Sequence, residues 1–166
     1  MKKCIFLVLP VIFLLSCGGK NDPDVSKINV DIQFKRFVQD MKALKKDSAW
    51  RQSLDNLYIT YPEFAELYFS TLVKVATLND TAAPIYIKAY LFDKDIVQLH
   101  KDMQIQFADL EPFKKEVIEA FKYYKYYLPK RKIPNVLTYD FGFNNVVVAL
   151  DSSICISLDQ YLGKTA

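Results

Sequence analysis

Residues 136–158, VLTYDFGFNNVVVALDSSICISL, contain the pattern that decides the fold. The segments 136–143 and 146–150 both have a period of two residues, and Asn144-Asn145 lies between them. A period of two indicates strands, and asparagine tolerates the left-handed backbone of a tight turn. The stretch therefore predicts an antiparallel β-hairpin, followed by a further strand over residues 153–158.

The segments before this stretch predict one strand and then several helices. Residues 28–34 alternate between apolar and polar side chains, which is typical of a half-buried strand. Apolar residues then recur every three or four positions up to residue 128, as on helices packed against a core. This order predicts an α+β fold, with helices on one side of a largely antiparallel sheet.

Caps and prolines mark where these helices begin. We expect Asp47 or Ser48, Asp93 and Asp109 to cap three of them, and Pro62 to lie in the first turn of another. The last long helix is expected to bury an apolar stripe formed by Phe113, Val117, Ala120, Phe121, Tyr124 and Leu128.

The N-terminal residues have the properties of a secretory leader. Lys2 and Lys3 precede residues 5–15, which are apolar throughout. This run is shorter than the roughly 20 residues that a membrane-spanning helix needs, so it predicts a signal peptide over residues 1–16.

The leader ends in Leu14-Leu15-Ser16-Cys17, which resembles the lipobox of bacterial lipoproteins. The resemblance implies that Cys17 is diacylated and becomes the N-terminus, and two acyl chains attach a protein stably to a membrane. Residues 17–26 contain Gly, Asn, Asp and Pro without periodicity, and we interpret them as a lipid-anchored tether. Residues 27–166 are then a single α+β domain.

Composition narrows the class of protein further. The chain is 51% hydrophobic and 25% charged, as globular domains are, and its formal charge of +3 falls to +1 once Lys2 and Lys3 leave with the leader. A charge this small gives no reason to expect a nucleic-acid partner.

Because Cys4 is also lost and Cys17 is lipidated, Cys155 has no partner for an internal disulfide, and we expect it to be a small buried apolar residue.

Motifs for catalysis or cofactor binding are missing from the sequence. The single histidine, His100, supplies too few ligands for a zinc site, and we expect it to have an exposed or half-buried structural role. The sequence has no Gly-x-Ser-x-Gly motif and no glycine-rich phosphate loop. We therefore expect a non-enzyme with no catalytic residue, no metal site and no cofactor.

Three aspartates beside the predicted strands leave two hypotheses open. Asp140, Asp151 and Asp159 either converge as paired acids or a hard-cation site, or each accepts from nearby backbone N–H groups at strand ends and turns. The second arrangement is the commoner one in proteins.

Residues 121–132, FKYYKYYLPKRK, interleave aromatic and basic side chains. Such stretches stack on single-stranded nucleic acids, but export from the cytoplasm argues against that ligand. We expect a helix whose outer face contacts peptidoglycan, glycan or a partner protein. The residues expected in this surface are Tyr123, Tyr126, Tyr127, Lys130 and Arg131.

Several short segments follow the lipobox in a distinctive order. They are INVDIQFKRF at 28–37, YPEF at 61–64, FKYY at 121–124 with Pro129, IPNV at 133–136 leading to Thr138-Tyr139, and ISLDQYLGK at 156–164. In this order the chain resembles the gliding-motility lipoproteins of the GldB type found in Bacteroidetes.

The resemblance implies a non-catalytic, membrane-anchored lipoprotein of the cell envelope, in the outer membrane, that works with envelope protein partners in gliding or secretion. The family is also similar to zincin-like metallopeptidases, and its members are about twice this length. This implies that the chain corresponds to an N-terminal half, truncated at its C-terminus, with a zincin-like half-fold. Two alternatives stay open: the N-terminal part of a zinc metallopeptidase-like protein, and a glycan- or peptidoglycan-binding envelope module.

Overall fold

The computed structural model describes residues 22–44, 49–77, 79–140 and 147–163. The predicted signal peptide, Cys17, the cap candidates Asp47 and Ser48, and the Asn144-Asn145 turn all lie outside these ranges. Within them the chain forms six helices and one mixed four-stranded sheet, which confirms the α+β class.

Prolines open three of the helices, because a missing N–H costs little in the first helical turn. A π-helical turn over Leu67–Leu72 extends the third helix, and a 3-10 turn over Leu158–Tyr161 follows the last strand. In chain order the elements are β1 (Phe34–Arg36), α1 (Phe37–Leu44), α2 (Trp50–Thr60), α3 (Pro62–Glu66), α4 (Ala83–Phe92), α5 (Lys94–Gln106), α6 (Glu111–Tyr127), β2 (Asn135–Tyr139), β3 (Val147–Ala149) and β4 (Ser153–Ser157).

The cap predicted at Asp93 is confirmed, whereas Asp109 lies one residue before the N-cap of α6, which is Leu110. Asp93 is the N-cap of α5, and its Oδ1 accepts from the backbone N–H groups of Asp95 at 2.8 Å and Ile96 at 3.4 Å. The Oδ1 of Asp109 accepts from the N–H of Glu111 at 2.8 Å, where α6 begins. Each carboxylate satisfies donors that the helix itself leaves unpaired.

The first strand is shorter than its alternating pattern predicts. Residues 28–33 alternate between half-buried and exposed side chains, but β1 begins only at Phe34. Gln33 links the two parts, since its N–H donates to Asn135 Oδ1 at 3.0 Å and its carbonyl accepts from the Val136 N–H at 2.9 Å. The alternation before Phe34 thus reflects one-sided burial without a strand partner.

The strand pairing predicted from Asn144-Asn145 is wrong. The sheet order is β1-β2-β4-β3, so β3 pairs antiparallel with β4 and does not neighbour β2. The antiparallel hairpin turns at Asp151-Ser152, where the Leu150 N–H donates to the Ser153 carbonyl at 2.8 Å. β4 is the longer and more buried strand, and it takes the interior position while β3 lies at the edge.

The sheet is also not largely antiparallel. β1 pairs parallel with β2, and β2 pairs parallel with β4. Helices α1 to α6 form the connection between β1 and β2, and parallel neighbours require such a long crossover. As a result, the C-terminal ends of β2 and β4 lie at the same edge of the sheet.

Aromatic side chains form the centre of the core. Phe37 is fully buried, and its ring contacts those of Tyr61, Phe64 and Tyr68 edge-on, with centroids 5.1, 5.0 and 5.0 Å away. Edge-to-face geometry stabilises such clusters beyond the burial of their area. This cluster joins α1 and α3 and packs against β2 through Tyr139, which lies 5.1 Å from Phe64.

Helix α6 corrects a further expectation, because none of its residues is buried. Ala120 is exposed, Leu128 is 46% exposed, and the other members of the predicted stripe are half-buried. The helix lies beside Phe34, whose ring is 6.4 Å from that of Phe113, and the three-residue strand β1 is too short to cover a helix of this length. No helix among the described residues is long and apolar enough to cross a membrane.

Candidate functional site

Two of the three candidate aspartates meet at one edge of the sheet. Asp140 directly follows β2, Asp159 lies just beyond β4, and both are buried. Because β2 and β4 are parallel neighbours, both carboxylates lie at the edge where these strands end. Asp151 is exposed in the turn at the opposite edge. The structure therefore brings together Asp140 and Asp159 without Asp151.

Asp140 is the acceptor in a buried hydrogen-bond network. Tyr68 donates its hydroxyl to Asp140 Oδ1 at 3.2 Å, and His100 Nε2 lies 2.9 Å from Oδ2. The hydroxyls of Tyr68 and Tyr90 are 2.9 Å apart. Since an ionised carboxylate only accepts, the Tyr68 proton points to Asp140, and Tyr90 must then donate to Tyr68. The network is thus directed toward one carboxylate.

Burial and the charge of Asp140 keep both phenols of this network protonated. Burial raises the pKa of Tyr68 well above its ordinary value of 10.0, and the negative charge of Asp140 adds to the shift. The pKa of Tyr90 is raised by the same two causes, with burial again the larger. Both hydroxyls therefore remain hydrogen-bond donors at neutral pH.

His100 is more buried than the sequence suggested. It is 1% exposed, so the expected exposed or half-buried position is wrong. Its Nε2 faces Asp140, while its Nδ1 is buried without a hydrogen-bond partner among the described residues. The signal that points to burial is helical spacing, because His100 lies three residues before the buried Met103 on α5.

A cavity of about 230 Å³ adjoins this network. Its walls come from β1, α1, α5, β2 and the turn after β4, so residues distant in sequence meet there. Both polar and apolar side chains line the wall. The lining residues are Arg36, Val38, Gln39, Lys42, His100, Met103, Gln104, Phe107, Thr138 and Leu158.

The cavity wall is positively charged. Arg36 and Lys42 line it, and no described residue of the lining carries a carboxylate. Arg36 Nη2 donates to the Phe107 carbonyl at 2.8 Å, and Lys42 Nζ donates to the His100 carbonyl at 2.6 Å and to Gln104 Oε1 at 3.3 Å. These acceptors are neutral oxygens, and they orient both cations in the cavity wall.

Neither metal ligation nor thiol chemistry is favoured by the described residues. Among them, no group of three or more His, Cys, Asp or Glu side chains is placed to hold a metal ion. Cys155 is fully buried, and burial, with a smaller contribution from Glu63, raises the pKa of its thiol to about 12. The expectation of a small buried apolar residue at this position is confirmed.

The predicted surface residues lie at the end of α6 and in the turn that follows. Tyr126 and Tyr127 are 50% and 64% exposed and form an edge-on pair with centroids 5.1 Å apart. Lys130 and Arg131 are exposed, whereas Tyr123 is half-buried. The exposed part of this surface is therefore Tyr126, Tyr127, Lys130 and Arg131, named here the aromatic–basic patch.

Sequence reasoning did not find the cavity residues or the tyrosine network. Tyr68 lies within the region of helical apolar periodicity and Arg36 within the segment INVDIQFKRF, and neither was expected to be a site residue. No local signal marks either as a site residue, because each bonds a residue far away in the sequence. Arg36 and Phe107 are 71 positions apart, and Tyr68 and Asp140 are 72 positions apart.

Comparison with known proteins assigns a family. Residues 18–166 match the family model described as gliding motility protein GldB. Searches of curated proteins and of solved structures gave no match. The family resemblance inferred from the sequence is confirmed by this match.

Proposed function

The chain belongs to the family of the gliding motility protein GldB, and on this premise we propose that it is a lipid-anchored, non-catalytic component of the gliding or secretion machinery. Membership makes it a gliding-motility-associated lipoprotein of the cell envelope. The observation that carries the proposal is the extent of the match, which covers residues 18–166 and begins directly after Cys17.

The proposed anchor is Cys17. The lipobox pattern Leu14-Leu15-Ser16-Cys17 and the preceding apolar run support cleavage before this cysteine and acylation of its thiol. Each buried CH₂ contributes about 0.8 kcal/mol, so two or more acyl chains hold a protein stably without a spanning helix. We place the anchor in the outer membrane, with attachment through lipid alone.

The aromatic–basic patch supports a protein partner in the envelope. Tyrosine and arginine are enriched among the residues that contribute most to protein interfaces. Tyr126 and Tyr127 already contact each other, so little side-chain entropy would be lost when a partner covers them. The same patch suits a sugar ring, which makes a glycan or peptidoglycan ligand the alternative outcome of a binding test.

The non-catalytic part of the proposal follows from how the candidate groups are used. The Cys155 thiol is buried and stays protonated well above neutral pH, and among the described residues no group of three or more His, Cys, Asp or Glu side chains is placed to hold a metal ion. A cysteine nucleophile needs the opposite properties, namely a thiolate at neutral pH and access to substrate.

The anchor and the motility role are tested together in the source bacterium after deletion of the gene. Plasmid-borne wild type should incorporate a fatty-acid probe, fractionate with the outer membrane and restore colony spreading. Cys17→Ala should do none of these at equal protein level. Cys155→Ala is the matched control, because it removes the other mature cysteine and should be labelled like wild type.

Equal labelling of wild type and Cys17→Ala would contradict the lipid anchor, and unimpaired spreading of the deletion strain would contradict the motility role.

The metallopeptidase alternative has its own test. Purified protein should contain well under one zinc ion per chain and leave casein intact. Stoichiometric zinc that is lost in His100→Ala, together with casein cleavage, would overturn the non-enzyme proposal.

A further inference from the structure

We propose that the cavity beside His100 binds a small organic carboxylate, with the carboxylate group at Arg36 and Lys42 and a short apolar body against the apolar side chains of the lining. This inference concerns the interior of the domain and does not depend on the lipid anchor or on the aromatic–basic patch. It rests on three properties of the cavity: its charge, an unsatisfied ring nitrogen, and the apolar part of its lining.

The charge of the cavity favours an anion. Arg36 takes part in none of the salt bridges found among the described residues, although its guanidinium is partly desolvated. Burial lowers the pKa of Arg36, and a carboxylate beside the guanidinium would favour its charged form. With its amide oxygen turned toward the guanidinium, Gln39 accepts from Arg36 Nη1 at 2.9 Å and holds the group in place. A carboxylate would supply the missing negative charge.

His100 provides the second observation. Its side chain is 1% exposed and lines the cavity, yet its Nδ1 has no hydrogen-bond partner among the described residues. Native proteins rarely leave such a buried polar atom unpaired unless water or a ligand reaches it. Because Nε2 is held by Asp140, Nδ1 is the ring nitrogen left to form a hydrogen bond with a ligand in the cavity.

The size and the apolar wall favour an organic anion over an inorganic one. Val38, Met103, Phe107 and Leu158 line the cavity together with the cations. Inorganic phosphate would satisfy the charges and leave these side chains uncovered. At about 230 Å³ the cavity is smaller than the roughly 300–1,000 Å³ of sites for drug-sized ligands, so it suits a molecule the size of a single ring bearing a carboxylate.

Fluorine NMR on the full-length protein, purified from membranes in detergent, tests the proposal. The probe is para-fluorobenzoate, and para-fluorobenzyl alcohol is the neutral control with the same ring. We expect saturable broadening of the benzoate signal and about tenfold weaker binding of the alcohol, because one charge-assisted contact is lost. Inorganic phosphate should displace benzoate only at far higher concentration.

Substitutions in the cavity lining and one outside it test where benzoate binds. Arg36→Gln should weaken benzoate binding about tenfold, and Arg36→Lys should retain part of the affinity. Lys101→Gln is the control, because it removes an exposed positive charge next to His100 in sequence and outside the cavity lining. If Arg36→Gln does not fold, Lys42→Gln on the surface-accessible side of α1 takes its place.

Four results would overturn the proposal: no saturable benzoate binding, equal affinity for benzoate and the alcohol, unchanged binding in a folded Arg36→Gln or Lys42→Gln, or an equal loss in Lys101→Gln. If inorganic phosphate displaced para-fluorobenzoate as readily as unlabelled benzoate does, the ligand would be an inorganic anion, and the proposal of an organic carboxylate would be wrong.

Discussion

Asp140 is the residue on which the polar interior depends. Its carboxylate is fully buried, and isolation of a charge from water is costly unless partners replace the lost hydration. Tyr68 and His100 supply those partners, one on each oxygen. Replacing one member of such a buried pair therefore destabilises the folded protein, because the other polar group stays buried without its partner.

We predict that Asp140→Ala lowers the free energy of unfolding by about 3–5 kcal/mol, because it leaves the Tyr68 hydroxyl and His100 Nε2 without an acceptor. Asp140→Asn should cost less, since the amide oxygen still accepts from Tyr68. Urea denaturation followed by circular dichroism measures both values.

The matched control is Asp151→Ala, at an exposed aspartate of the hairpin turn. Its effect should stay within about 0.5 kcal/mol, as is usual for surface substitutions. Similar losses for Asp140→Ala and Asp151→Ala would show that the buried network contributes nothing specific to stability.

At the scale of elements, Lys74 determines how the helical segment after Pro62 ends. It is the only non-glycine residue with positive φ in the described ranges, at +54°. Around it, the Val75 and Ala76 N–H groups donate to the Phe69 carbonyl at 2.8 and 3.2 Å. This left-handed termination satisfies carbonyls that the helix leaves unpaired, and glycine usually occupies the position.

Lys74→Gly should therefore stabilise the protein, by about 0.5–1 kcal/mol. Removing the side chain relieves the steric cost of the left-handed backbone, which exceeds the entropy that glycine adds to the unfolded chain. The midpoint of urea unfolding should rise in proportion.

Lys101→Gly tests whether this effect comes from the backbone conformation. Lys101 is exposed within α5, where glycine costs about 1 kcal/mol relative to good helix formers. Opposite signs for the two substitutions are expected. A loss of stability in Lys74→Gly as large as that in Lys101→Gly would rule out the proposed termination.

The strand pairing shows why the position of a strand is easier to predict from sequence than the strand with which it pairs. A period of two residues identifies a strand but not its partner, and Asn144-Asn145 suggested a turn that the observed pairing does not use. Asp151-Ser152 also carries turn-forming residues, and only the burial of β4 between β2 and β3 distinguishes the two possibilities.

At the scale of the whole molecule, buried ionisable groups connect stability to pH. Burial is the leading cause that raises the pKa of Tyr58 and Tyr139 from 10.0 to about 12, and of Cys155 from 9.0 to about 12. The pKa values of Tyr68 and Tyr90 are also raised. The folded protein thus keeps protons that the unfolded chain releases.

Because these folded-state pKa values are raised, their contribution to stability is complete below about pH 9 and is lost as the pH rises toward 12. We predict a steep fall in the urea midpoint over this range at constant ionic strength. Tyr90→Phe should reduce the slope, since it removes one group with a raised pKa. A midpoint of urea unfolding that stays constant up to pH 12 would contradict the raised pKa values.

Local sequence was sufficient for properties that depend on neighbouring residues. Asp93, Asp109 and the first-turn prolines marked helix starts, because caps and ring-locked φ angles act within one turn. The hydrophobic periodicity and the order of strands and helices predicted the α+β class, and the short segments that follow the lipobox identified the family. The lipobox ending at Cys17 remains a prediction of the same local kind.

Tertiary structure alone decided which distant residues meet. The six-helix crossover makes β1 and β2 parallel, and the insertion of β4 beside β2 brings Asp140 and Asp159 to one edge. The burial of His100 and the exposure of α6 depend on what covers each helix, which a periodic pattern does not specify. Helix and strand signals act over a few residues, whereas pairing and burial are set by the free energy of the whole packed chain.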